Sequence, residues 1–178
     1  MFRRLVTAKN ASGKSVVVSD GASPREMALK HTPGFVSAPI WMSAGTPALP
    51  GGTDPMATPG TSLLPGPGGS SFLIVTFPPD SVMMSADFNP ALAGPEHVTA
   101  APGIAETFEM DNPGMHTTPT VDYAVVVSGE IWLELDDGAL VHLKHGDTVV
   151  QQGARHGWRN RGDKPATIAF VLMGAQAA

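Results

Sequence analysis

His116, Asp122 and His156 are the residues of this chain whose types and spacing could do chemistry together. In an extended strand, side chains two apart share a face. From His116 that face carries Thr118, Thr120, Asp122, Ala124, Val126 and Ser128, polar at its start and apolar further on. Such a gradient suits a strand that runs from a wet mouth onto a packed floor. His156 follows Gly153 after the run 148–152, and Trp158 shares its face. If the two strands meet at the mouth, two imidazoles and one carboxylate converge there. A set of that kind with open coordination positions suits non-haem iron or another first-row divalent ion. Thr118, Thr120, Gln151 and Trp158 are then the expected pocket-lining residues, with the Trp158 indole, joined by Trp41, as an apolar wall for a small organic ligand.

The elements that must position these groups are legible from alternation and turns. Strands are predicted at 122–128, 131–135, 139–144, 148–152, 156–160 and 166–173, with Asp136-Asp137-Gly138 as a hairpin turn. Short strands on tight hairpins imply an antiparallel sandwich or barrel, and exposed strand edges favour closure. Residues 1–20 read as a hairpin turning at Asn10 to Gly13. Residues 21–103 are irregular and hold most of the prolines, including Gly51-Gly52-Thr53-Asp54-Pro55 and Pro65-Gly66-Pro67-Gly68-Gly69. A strand is predicted at 72–77, another at 104–110, and a helical turn or two within 82–93. The proline-rich stretch 40–70 is expected to fold over the mouth as a lid. Val16-Val17-Val18 is apolar on both faces. It predicts a hairpin that either extends the barrel's sheet or crosses to a second subunit, giving a homodimer.

The run Gly114-Met-His116-Thr-Thr118-Pro-Thr-Val-Asp122-Tyr-Ala-Val-Val-Val-Ser-Gly129 resembles the first motif of the cupin superfamily. Gly146-Asp147 through Gly153-Ala-Arg-His156-Gly-Trp-Arg-Asn160 resembles the second. The resemblance covers residues 104–174 and is closest to small single-domain cupins of bacteria and of fungal polyketide clusters. It implies an all-β fold: a single double-stranded β-helix (jelly-roll) barrel with an amino-terminal β-hairpin arm and long Pro/Gly-rich loops. It also implies metal ligands at His116, Asp122 and His156. Thr118 stands where the family has a second histidine, Asp122 replaces a glutamate, and Gln151 replaces a proline. Thr118 thereby vacates a coordination position that substrate or water could fill. The function implied is a metal-dependent cupin enzyme acting on a small organic metabolite, with one divalent transition metal (Fe, Mn, Ni or Zn). The alternative is a metal-free, non-catalytic small-molecule-binding cupin.

Composition narrows the classes further. The 178 residues carry 11 basic and 16 acidic side chains, a net charge of −5, which argues against nucleic acid as a partner. With no cysteine, disulfides and thiolate sites are impossible. No apolar run approaches the roughly 20 residues that cross a bilayer, so a cytoplasmic protein without membrane contact is expected. The remaining histidines carry no site. His142 is expected at the surface, His145 at a turn, and His31 and His97 lack partners at ligand spacing. Gly13-Lys14-Ser15 lacks the leading glycine of a phosphate loop, and no Gly-x-Ser-x-Gly elbow exists. Tyr123 is expected to face outward, away from a role as general base.

Overall fold

The computed structural model describes residues 1–49 and 54–176. The Gly51-Gly52-Thr53 turn lies outside these residues. At the amino terminus, β1 (Arg3–Lys9) and β2 (Ser15–Ala22) pair antiparallel. Their turn is made by the Asn10 side chain, whose amide oxygen accepts from the backbone N–H of Ser12 and Lys14. The hairpin is a two-stranded sheet of its own. This corrects the expectation that it extends the main sheet. A side chain anchors it in place of a ladder: the buried Arg4 guanidinium donates to the Asp54 carboxylate at 2.6 and 3.0 Å and to the Ile40 carbonyl. Leu5, Val17 and Val18 stay more than half exposed.

Two further strands precede the regular half of the chain: β3 (Met27–Ala28) and β4 (Val36–Ser43). The alternation of β4 is interrupted by Pro39, which sits at a register shift, the place where a sheet tolerates proline. That interruption hides β4 from a reading of the sequence. The chain continues through β5 (Ser70–Phe77) and α1 (Pro90–Ala100). The helix is longer than the turn or two expected, and begins where the Asn89 side chain accepts from Ala91 N–H with Pro90 in the first turn. The strand expected at 104–110 is absent. Instead Glu106 accepts the Gly103 N–H at 2.7 Å and residues 105–107 form a tight helical turn, so local bonds replace a ladder.

The carboxy-terminal half forms β6 (Thr120–Ser128), β7 (Glu130–Glu134), β8 (Leu140–Lys144), β9 (Thr148–Gln152), β10 (Gly157–Arg159) and β11 (Ala166–Gly174). Between β7 and β8, Asp137 and Gly138 take positive φ of 57° and 71°, as the Asp-Gly turn requires. One sheet runs β3-β4-β5-β11-β6-β9 and the other β10-β7-β8. They face each other across Leu73, Val126, Ile131, Leu133, Ile168 and Phe170. The architecture is mostly β, two sheets packed face to face with one helix, α1, ahead of the regular half. It is shut by packing of two sheets, not by an unbroken ring of hydrogen bonds among the described residues.

Asn160 ties the barrel's far corner, its side chain donating to the carbonyls of Phe77 and Lys164 and accepting from Gly162 N–H. At the opposite end, Gly68 N–H donates to Gly174 and Gly174 N–H donates to Gly69. Leu63, from the same stretch, is fully buried in the core. The described part of the expected lid is therefore a fixed rim, held by backbone bonds and a core anchor.

Candidate functional site

The floor of the site is set by β6. Thr120, Asp122, Ala124 and Val126 are buried while the residues between them are not. Tyr123 faces outward and is half exposed, as expected. Ahead of β6, His116 forms an isolated antiparallel bridge with His156, each backbone N–H donating to the other's carbonyl at 2.9 Å. This bridge brings the two imidazoles together, with ring centroids 4.3 Å apart and planes tilted by 51°.

Both rings are held by the same device. His116 Nδ1 lies 3.1 Å from the Gly114 carbonyl and His156 Nδ1 lies 2.9 Å from the Ala154 carbonyl. A carbonyl only accepts, so in the neutral ring Nδ1 carries the proton and Nε2 keeps its lone pair. Neutrality is enforced by burial. The His116 pKa falls from 6.5 to about 4, first through desolvation and then through the charge of His156. His156 is lowered as well, mainly by desolvation.

Asp122 sits beside this pair with its carboxyl pushed above the usual range by burial, an effect opposed by the Thr120 hydroxyl and by His156. Its Oδ1 has no hydrogen-bond partner among the described residues. Thr118 and Thr120 bond to each other through their hydroxyls at 2.7 Å. Gln151 lies opposite Asp122 in the β6–β9 register and is also buried. Trp158 packs edge-on to His156 at 6.0 Å and against Phe170 at 5.4 Å.

The structure thus gathers His116 and His156, and places Asp122, Thr118, Thr120, Gln151 and Trp158 on the interior around them. It does not draw Asp122 in to complete a ligand cluster. No group of three His, Asp or Glu side chains poised to hold an ion occurs among the described residues. Trp41 is a correction to the expected apolar wall. It pairs with Phe72, which lines a groove with Tyr123 and Val150 on the outer face of the large sheet, so Trp41 lies outside the barrel.

Three residues of the surroundings escape a reading of the sequence. Phe108 packs 5.0 Å from the His116 ring. Glu109 accepts two hydrogen bonds of 2.6 Å from Arg155, which also reaches Asp136 at 2.8 Å. Arg155 is flagged only by its place beside His156, whereas Phe108 and Glu109 come from a segment with no periodicity. His142 is exposed and stacks on Trp132 at 4.2 Å, and His97 packs against Phe35 and bonds to Thr32.

In donor chemistry the residues fit a divalent ion. Two neutral imidazoles present free Nε2 lone pairs, and a buried carboxylate oxygen lacks a partner. The hydrogen bonds from Nδ1 to carbonyls are the outer contacts that orient ligating histidines.

Residues 107–172 match the cupin domain family model. The chain is similar to phomopsin biosynthesis cluster protein C' of Diaporthe leptostromiformis, 55% identical over 63 residues, which are 35% of this chain and 33% of that protein. It is similar to oryzines biosynthesis cluster protein J of Aspergillus oryzae, 48% identical over 48 residues, 27% of each chain. The cupin-domain-containing oxidoreductase virC of Hypocrea virens is 36% identical over 62 residues, 33% of this chain and 32% of that one. The matches span about a third or less of these relatives. Among solved structures, a double-stranded β-helix protein from Klebsiella pneumoniae superposes with a TM-score of 0.39 at 22% identity, covering 61% of this chain and 70% of that one. No helix among the described residues is long and apolar enough to cross a membrane.

Proposed function

From the cupin domain at residues 107–172, we propose that this chain is a metal-dependent enzyme of oxidoreductase type acting on a small organic metabolite. A role in a biosynthetic cluster is part of this reading, since relatives named as cluster proteins and as cupin-domain oxidoreductases share its sequence here. The observation that carries it is the imidazole pair fixed through Nδ1, with the unpartnered Asp122 oxygen beside it. His116, His156 and Asp122 would hold one divalent transition ion (Fe, Mn, Ni or Zn). Such an ion, when bound, supplies Lewis-acid polarisation or electron transfer at a substrate oxygen.

The chain's own side chains do the rest. Burial keeps both imidazoles neutral and available as donors near neutral pH. Phe108 packs against the His116 ring and Trp158 against the His156 ring, giving the pair aromatic neighbours on two sides. Arg155, clamped by Glu109 and Asp136, holds the loop that carries His156. Thr118 and Thr120 bond to each other through their hydroxyls, and Thr120 also acts on Asp122.

The test is elemental analysis of protein purified without an affinity tag and then refilled with each ion. One equivalent bound in the wild type, and lost in both His116→Ala and His156→Ala, is the expected result. No retention of any ion after refilling overturns it. The second reading, a metal-free binding cupin, is favoured by the absence of a three-group cluster among the described residues. It predicts ligand binding that survives chelation and leaves no metal-dependent turnover.

A homodimer is also proposed, with a second copy covering the exposed Leu5, Val17 and Val18 of the hairpin.

A further inference from the structure

Gln151 and Asp122 stand directly opposite each other where β9 pairs with β6, and both are buried, 5% and 6% exposed. Asp122 Oδ1 and Gln151 Nε2 each lack a hydrogen-bond partner among the described residues. Groups around them are occupied: Thr118 and Thr120 hold each other, and both imidazoles use Nδ1 on backbone carbonyls. One of the two orphaned atoms is an acceptor and the other a donor.

Cβ atoms of directly opposed residues in a sheet lie about 4.5–5.5 Å apart. The long Gln151 side chain and the short Asp122 one together span more than that. Rotation about side-chain single bonds therefore brings the nitrogen onto the oxygen without moving the backbone. Kept apart, each buried group bears its own desolvation, whereas a hydrogen bond to an ionised oxygen is about twice as strong as one between neutral groups.

We propose that Gln151 is a positioning residue, donating from Nε2 to Asp122 Oδ1 and fixing the orientation of that carboxylate beside the imidazole pair. This rests on the reading of His116, His156 and Asp122 as ion ligands. The amide nitrogen has no lone pair to give, so it acts through Asp122 and does not itself ligate. A carboxylate oxygen has two lone pairs, so Oδ1 accepts from Gln151 and keeps the other for an ion. Outer contacts of this kind hold a ligand in place, and losing one typically weakens metal affinity about 10- to 100-fold.

The experiment begins with full-length protein in chelator. Wild type, Gln151→Met, Asp122→Ala and the double variant are unfolded in urea. Gln151→Met is expected to lower the folding equilibrium constant about tenfold with Asp122 present, and less than about threefold in Asp122→Ala, where the partner is already gone. Equal losses in the two backgrounds overturn the proposal. So does the absence of a through-hydrogen-bond scalar coupling between Gln151 Nε2 and Asp122 Cγ in isotope-labelled wild type, a measurement that decides alone should a variant fail to fold. Zinc affinity, read by competition with a chromophoric chelator, is expected to fall about 10- to 100-fold in Gln151→Met, and an unchanged affinity overturns the positioning role. The two readings fail separately. Wild type that holds no ion but shows the coupling removes only the ion, and a stoichiometric ion without the coupling removes only the Gln151 assignment.

Discussion

Acidification should unfold this protein through His116. The folded ring has its pKa lowered from 6.5 to about 4. As pH falls below 6.5 the unfolded chain takes up this proton while the folded chain refuses it. The stability is therefore fully present above pH 6.5 and is lost as pH falls toward 4. With these two values, linkage gives a loss of about 2 kcal/mol between pH 7 and pH 5, and about 3 kcal/mol by pH 4. The ring is buried, so solvent screening does not much reduce the figure. The assay is urea denaturation at 25 °C in chelator at pH 7, 6, 5 and 4, on wild type and on His116→Gln. The variant keeps a polar ring-sized side chain that does not titrate. It should show a flatter acid limb by about 2 kcal/mol at pH 5, retaining only what His156, also lowered by burial, contributes. Parallel acid limbs for the two proteins would refute the reasoning, because the His116 proton would then not be excluded by folding.

Asn160→Ala leaves the part-buried carbonyls of Phe77 and Lys164 and the Gly162 N–H without their partner, and should cost about 2 kcal/mol in urea midpoint analysis; a loss under about 0.5 kcal/mol would contradict its assigned role. Asp54→Asn removes the countercharge of the buried Arg4 and, since Asp54 is partly exposed, should cost about 2 kcal/mol, read as a lower thermal midpoint. Deleting residues 1–20 should convert a dimer to monomer or to aggregate in light scattering, and a monodisperse truncation of unchanged mass would remove the proposed role of the hairpin. Trp158→Ala removes the edge contacts to His156 and Phe170 and should cost about 2 kcal/mol in urea denaturation while the β fold persists in circular dichroism; an unchanged midpoint would remove its assigned packing role.

The sequence by itself determined the strands of the second half and the two histidines. Alternation at β6 and β11, the Asp-Gly turn, and a motif shared by one large family are local signals, each carried within a few residues. Polar positions at the start of β6 fell on the interior because strand periodicity dictates the face once the register is set. The first half was less legible. β4 is broken by a proline at a register shift, α1 depends on an asparagine cap, and residues 105–107 close on themselves through Glu106, so none shows clean periodicity.

Only the tertiary structure decided which groups meet. The backbone bridge between His116 and His156 joins residues forty positions apart, and no local rule supplies it. Phe108 and Glu109 reach the site from an irregular segment, while Trp41 is carried to the far face by the pairing of β4 with Phe72. The unpartnered atoms of Asp122 and Gln151 are likewise a tertiary fact. Side-chain type declares what a group can donate or accept, but satisfaction depends on every neighbour that folding brings within about 3.5 Å.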